Sequence, residues 1–164
     1  MKKPEKKDLP HLILCSAAWL LFAGCLIRFL AVYGSLADEI GVHFDGNGDF
    51  DVIDKKVFGF YPFLISLITL VICSVLAILV RKVSVGKNMT ERGERLSRSA
   101  VMLYFDFFQL VMAVFFSGVW SDCVIHQQPL NTYIPVILLF ITFGLLIALF
   151  VFLVVVSILC REKK

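Results

Sequence analysis

The chain has 164 residues, 59% of them hydrophobic, and a formal charge of +3. That is the length of one domain, and its mean hydropathy of +0.87 is too high for a water-soluble globule. The basic residues sit in separate short segments and form no continuous stripe, which excludes a nucleic-acid interface.

Four apolar runs carry the excess, at about 12–33, 57–80, 99–120 and 134–160. Each supplies the roughly 20 residues that cross a hydrocarbon core as a helix, the form that satisfies its own backbone there. The fourth is overlong and is expected to tilt or to extend past the bilayer. The first follows Lys2, Lys3, Lys6 and Lys7. It exceeds the roughly 7–15 residues of a signal-peptide core and lacks a clean small-x-small site, so it is read as a span. The predicted fold is all-α: a polytopic membrane protein with a bundle of four transmembrane helices, residues 1–164 forming a single membrane domain.

Basic residues in short loops set the orientation. Thirteen of the 16 lie in the N-terminal segment, the second loop (Arg81, Lys82, Lys87, Arg92, Arg95, Arg98) and the tail (Arg161, Lys163, Lys164). The first loop has only Lys55 and Lys56, and the third, Ser121–Asn131, has none. The expectation is a multi-pass protein of the cell membrane with both termini cytoplasmic.

Within the first span, Arg28 shares a helical face with Ala17, Gly24, Ala31 and Ser35, a small-residue pattern that suits helix packing. Arg28 is therefore expected to point into the bundle and to snorkel outward to Asp38, Glu39 or loop carbonyls. In the third span, Asp106 shares a face with Gln109 and Ala113. Arg28 stands roughly 25 Å above the inner end of its helix and Asp106 roughly 12 Å, at 1.5 Å per residue, so direct pairing is not expected. Intramembrane charge faces protein or a water-filled cavity. Arg28, Asp106 and Gln109 therefore either fix helix packing or line an ion or proton path.

The first loop, 36–56, concentrates the polar chemistry. Asp38, Glu39, Asp45, Asp49, Asp51 and Asp54 surround His43 and a Gly-Asn-Gly turn. Ile40, Val42 and Phe44 alternate with polar neighbours, as do Phe50 and Val52, which predicts a short hairpin. It would be marginal alone and is expected to dock on the helix ends. His43 and Asp51 should then point to a common side, near each other or near Lys56. Asp45-x-Asn47-x-Asp49 starts like a calcium loop, but Phe50 stands where glycine is needed and Lys56 where the bidentate glutamate is needed. A looser divalent site from Asp45, Asn47, Asp49 and Asp51, or a His43–His126–acid cluster, is geometrically allowed. One histidine among acids is not a zinc site, and no cofactor or metal is expected.

In the second loop, Thr90 and Glu91 suit the N-terminus of an extension of the third helix, with Gly93 weakening its start. Its basic residues suit anionic headgroups. The five cysteines form no C-x-x-C pair, and Cys123 lacks a loop partner. No nucleophile–base arrangement or phosphate-binding glycine loop is present.

The segment from late helix 1 to early helix 2 resembles a bacterial membrane domain of unknown function found at the N-terminus of SdpI-type toxin immunity proteins. Leu36, Ile40, His43, Phe44, Gly48, Asp51 and Lys56, followed by Pro62, fall at that family's spacing. The family's prolines are replaced by Ala37 and Gly41, and its aromatic after the aspartate by Val52 and Ile53. The resemblance covers about 45 residues and leaves helices 3 and 4 outside it. It implies that His43, Phe44, Gly48, Asp51 and Lys56 shape an extracytoplasmic surface.

The expected function is that of a non-enzymatic binding, immunity or signalling protein. Its partners are the lipid bilayer and an extracytoplasmic peptide or protein, met through the acidic loop, and not nucleic acid. The alternative is a small transporter or channel subunit with an internal polar path. A third possibility is a metal-assisted enzyme at the outer loop, which needs His43 to converge with two carboxylates.

Overall fold

A computed structural model describes residues 9–82 and 89–160. Lys2, Lys3, Lys6, Lys7, Lys87, Arg161, Lys163 and Lys164, used above for orientation, lie outside the described residues. Among the described residues four helices are long and apolar enough to cross a membrane, and the protein is an all-α, multi-pass helical bundle. The elements are α1 (Leu9–Tyr33), β1 (Glu39–Phe44), β2 (Phe50–Lys55), α2 (Tyr61–Val80), α3 (Glu91–His126) and α4 (Tyr133–Leu159). A 3-10 turn, Lys56–Phe60, leads into α2, whose first turn accepts Pro62 because the amides there need no helical partner.

The third helix differs most from expectation. It is not confined to 99–120 but runs through Glu91–His126. Thr90 caps its start, its hydroxyl accepting from the Gly93 N–H at 3.3 Å. Glu91–Arg95 and Glu94–Arg98 pairs, one turn apart, support the polar first turns. Gly93 is needed for a further reason: a Cβ there would lie 2.5 Å from the Cβ of Cys160 at the end of α4. The backbones also join here, Thr90 N–H donating to the Cys160 carbonyl at 2.7 Å. Past Met112 the helix widens into a π-helical stretch, Ala113–Trp120, then resumes over Ser121–His126. Ser121–His126, expected as loop, is thus helix, ended by Gln127 in the left-handed region at φ 51°.

α3 is the centre of the bundle, packing on α1, α2 and α4. A buried core of Ala18, Phe22, Phe29, Phe63, Leu70, Ala113 and Val124 joins the first three helices and continues into Ile40 and Val42 of the hairpin. Rings run along it from Trp19 to Phe22, Phe63, Phe29 and Phe60, at centroid separations of 4.9–6.3 Å. α4 rests on α3 and keeps nearly all its large apolar side chains outward, as lipid requires. The Ala17, Gly24, Ala31 and Ser35 stripe is exposed rather than packed, and no atom stands within 4 Å of a Cβ built at Gly24.

Candidate functional site

The hairpin is built by an antiparallel register of Glu39 with Lys55, Ile40 with Asp54, Gly41 with Ile53, His43 with Val52 and Phe44 with Phe50. Val42 and Asp51 are left without partners by shifts on either side of His43. Such bulges re-aim side chains. β1 buries Ile40, Val42 and Phe44, as its alternation predicts. β2 does not dock in the same way. Phe50 turns inward to stack on Phe44 at 4.4 Å, but Val52 is exposed.

Three of the five motif residues hold the hairpin in place. Phe44 meets Trp120 of α3 edge-on at 5.6 Å. Gly48 has φ 90°, a conformation open to glycine, and its carbonyl accepts from Leu130 N–H at 2.7 Å. Lys56 closes the hairpin's base, its ammonium 3.1 Å from Asp38 and its N–H donating to the Asp38 carbonyl at 2.9 Å. The ammonium also lies over the Tyr33 ring, 5.6 Å from its centroid. The other two, His43 and Asp51, meet each other: His43 Nδ1 lies 2.7 Å from Asp51 Oδ1, both side chains exposed. Lys56 is bound at the base and is not part of that pair.

A residue that sequence reasoning missed locks the strand. The Gln127 side chain accepts from Gly41 N–H at 2.8 Å and donates toward the Gly41 carbonyl at 3.5 Å. It also donates to the Val124 carbonyl at 2.6 Å. A side-chain amide thus stands where a third strand would pair. Gly41 is covered so closely by the Phe50 ring that a Cβ would lie 2.3 Å from it. Proline there would clash and would lose the N–H that Gln127 accepts from. No local pattern marks Gln127, because its role depends on the turn that follows α3.

At the tip, the Asp45 carboxylate accepts from Asn47 N–H at 2.8 Å and Asp49 N–H at 3.0 Å. These amides, Asn47's first, hold its carboxyl below the usual carboxylate range. The Asp45 carboxylate thus closes the turn, and Asp51 holds His43. Among the described residues no group of three His, Cys, Asp or Glu side chains is placed to hold a metal ion. His126 lies beside Arg28 and Asp122, and His43 pairs with Asp51.

Arg28 does not clamp the acidic loop. Its guanidinium lies 2.6 Å from Asp122 and donates to His126 Nε2 at 3.0 Å. The extra turns of α3 bring these partners alongside, which a loop over Ser121–Asn131 would not. Arg28 is 50% exposed and lies at the bundle's rim rather than inside it.

Asp106 is 1% exposed and belongs to a polar chain in the half of the bundle away from the hairpin. His11 Nδ1 lies 2.5 Å from Asp106, and Gln109 donates to Asp106 at 3.4 Å. Ser74 donates to Gln109 at 3.3 Å, and Trp19 Nε1 donates to Ser74 at 3.4 Å. The chain therefore ties α1, α2 and α3 together. Asp106 and Gln109 were candidates from sequence, whereas His11 lay at the other end of the sequence with nothing to link it.

Together these features define a multi-pass helical membrane protein with a docked hairpin at one end and a buried polar chain toward the other. No family model matches the chain, and neither a curated protein nor a solved structure matches it.

Proposed function

We propose that the chain is a non-enzymatic binding protein of the cell membrane, with both termini in the cytoplasm. It recognises a cationic peptide or protein segment outside the cell through the outward side of the hairpin. One observation carries this reading: β1 is buried on the bundle while β2 turns Asp51, Val52 and Ile53 outward beside the exposed Asp49 that precedes it, Ile53 being 70% exposed. Acids beside exposed aliphatics on a fixed strand suit a partner with complementary charge and an apolar side chain. Among the described residues the sheet has two strands, and the far edge of β2 lacks a strand partner there, open to an added extended segment. The resemblance to the N-terminal domain of SdpI-type immunity proteins favours toxin immunity as the setting, and the loop charges favour the orientation.

The transport alternative rests on the His11–Asp106–Gln109–Ser74–Trp19 chain. Farther along the same helices toward the hairpin stand Phe22, Leu70 and Ala113, at 8%, 0% and 0% exposure. This apolar layer separates the polar chain from the buried hydroxyls of Ser66, Ser117 and Ser121 nearer the hairpin and interrupts a path toward Arg28, so binding is the better supported reading.

A photo-crosslinking residue at Ile53, in living cells, tests it. Adducts with a basic polypeptide are expected, weakened by Asp51→Asn and Asp54→Asn. The same probe at lipid-facing Leu139 is the control. Adducts at Ile53 no different from those at Leu139 would refute the proposal.

A further inference from the structure

We infer that the end of the bundle opposite the hairpin holds an anionic phospholipid, its phosphate among arginines and an acyl chain in an adjoining groove. A cavity of about 820 Å³ opens there between the start of α1, the end of α2 and the first turns of α3. Arg81, Arg92, Arg95 and Arg98 line it, with Leu96 and Leu103 among its apolar walls. Glu91 and Glu94 hold Arg95 and Arg98 at 2.9 and 2.7 Å. Arg81 and Arg92 have no ion-pair partner among the described residues, so positive charge is in excess. The buried acid nearest this cavity, Asp106, is engaged by His11, which itself lines the cavity.

A second groove, of about 510 Å³, starts at the same Leu103. It runs between α1, α3 and α4, past Leu14, Phe107, Leu149 and Phe152, and its lining is overwhelmingly apolar. The two spaces thus share a wall and follow the order of a phospholipid's own groups. Guanidinium groups pair with phosphate oxygens through charge-assisted bonds, and basic pockets between transmembrane helices suit such headgroups. A soluble phosphate has no use for the groove. A choline headgroup would bring its cation among arginines. Both arguments select an anionic phospholipid. In the orientation proposed above this is the cytoplasmic leaflet, where such lipids concentrate, although the site itself does not depend on that orientation.

The test uses the full chain in mild detergent, offered phosphatidylglycerol and phosphatidylcholine together, with retained lipids counted by native mass spectrometry. Phosphatidylglycerol should be retained preferentially. Arg81→Gln and Arg92→Gln, both at exposed positions, should each lower that retention about fivefold. Leu149→Trp, which fills the groove without changing charge, should lower it too, and Leu159→Trp at the exposed end of α4 should not. Should Leu149→Trp melt early in lipid-free detergent, Ala148→Leu supplies the same block with less bulk. Excess glycerol phosphate should fail to displace the lipid. Equal retention of the two lipids would overturn the inference. So would indifference to the arginine substitutions or to both groove substitutions, or displacement by glycerol phosphate.

Discussion

Replacing Gly48 by alanine tests whether the hairpin is a docked part of the bundle. Gly48 has φ 90°, and a side chain in the left-handed half of backbone space costs about 1–2 kcal/mol. The added Cβ would lie 2.0 Å from the Leu130 carbonyl oxygen and 3.1 Å from Thr132 Cγ2. The first of these is backbone and cannot swing away, so the segment after α3 must shift. That shift breaks the Leu130 N–H bond to the Gly48 carbonyl, worth about 1 kcal/mol, and crowding adds about 1–3 kcal/mol. A total of about 3–6 kcal/mol exceeds what a two-stranded hairpin is expected to hold. The hairpin should undock while the four spans stay inserted. In nanodiscs, amides of 39–55 should exchange at least about 100-fold faster, the factor that corresponds to the lower bound. Gly46→Ala is the control, since nothing stands within 4 Å of its Cβ position. Trp120, edge-on to Phe44, gives a second probe by fluorescence in a Trp19→Phe background. Unchanged exchange in Gly48→Ala would refute the reasoning.

Gln127→Ala should expose the Gly41 amide to exchange and weaken docking by about 1–2 kcal/mol; a Gly41 amide as protected as before would show that Gln127 is dispensable. Asp106→Asn should be close to neutral, because an amide still meets Gln109 and His11. Asp106→Leu should lower stability by about 1–2 kcal/mol by stranding both partners, read as the melting temperature in detergent, and equal melting of the two variants would contradict the network. The carboxyl of Asp45 is held below its ordinary range by turn amides. Its stabilisation is therefore full above the unfolded value of about 3.9 and is lost as pH falls through the lower folded value. Nuclear magnetic resonance of the Asn47 amide should show that acid step, and Asp45→Asn should abolish it while keeping the turn; a step that survives would point to another group.

The four spans were legible because length and apolarity alone decide whether a segment crosses a bilayer, and β1 was legible because Ile40, Val42 and Phe44 keep a strict alternation. The end of α3 was not. Ser121 and Asp122 look like loop chemistry, but the Ser121 hydroxyl donates back to the Ser117 carbonyl and the helix continues to His126. Arg28's partner was lost with that boundary: Asp38 and Glu39 are nearer in sequence, but the longer α3 brings Asp122 nearer in space. The small-residue stripe around Gly24 misled for a related reason. Alanine and glycine are tolerated on lipid-facing surfaces as well as at helix contacts, and periodicity does not separate the two. Val52 alternates as a docked strand residue should, yet the bulge at Val42 and Asp51 re-aims β2.

The motif positions divide into those that hold the hairpin and those it presents, and the division governs how any mutational result is to be interpreted. Phe44 packs on Trp120, Gly48 meets Leu130 and Lys56 binds Asp38. Loss of binding on changing these three therefore reports a displaced hairpin. It says nothing of partner contact. His43 and Asp51 are different, because their bond lies on the exposed side and an exposed pair contributes about 0–1 kcal/mol to stability. Asp51→Asn keeps an acceptor for His43 and removes only charge. A partner recognised by charge should lose affinity in Asp51→Asn while hairpin exchange stays unchanged, and that combination separates recognition from folding at this site.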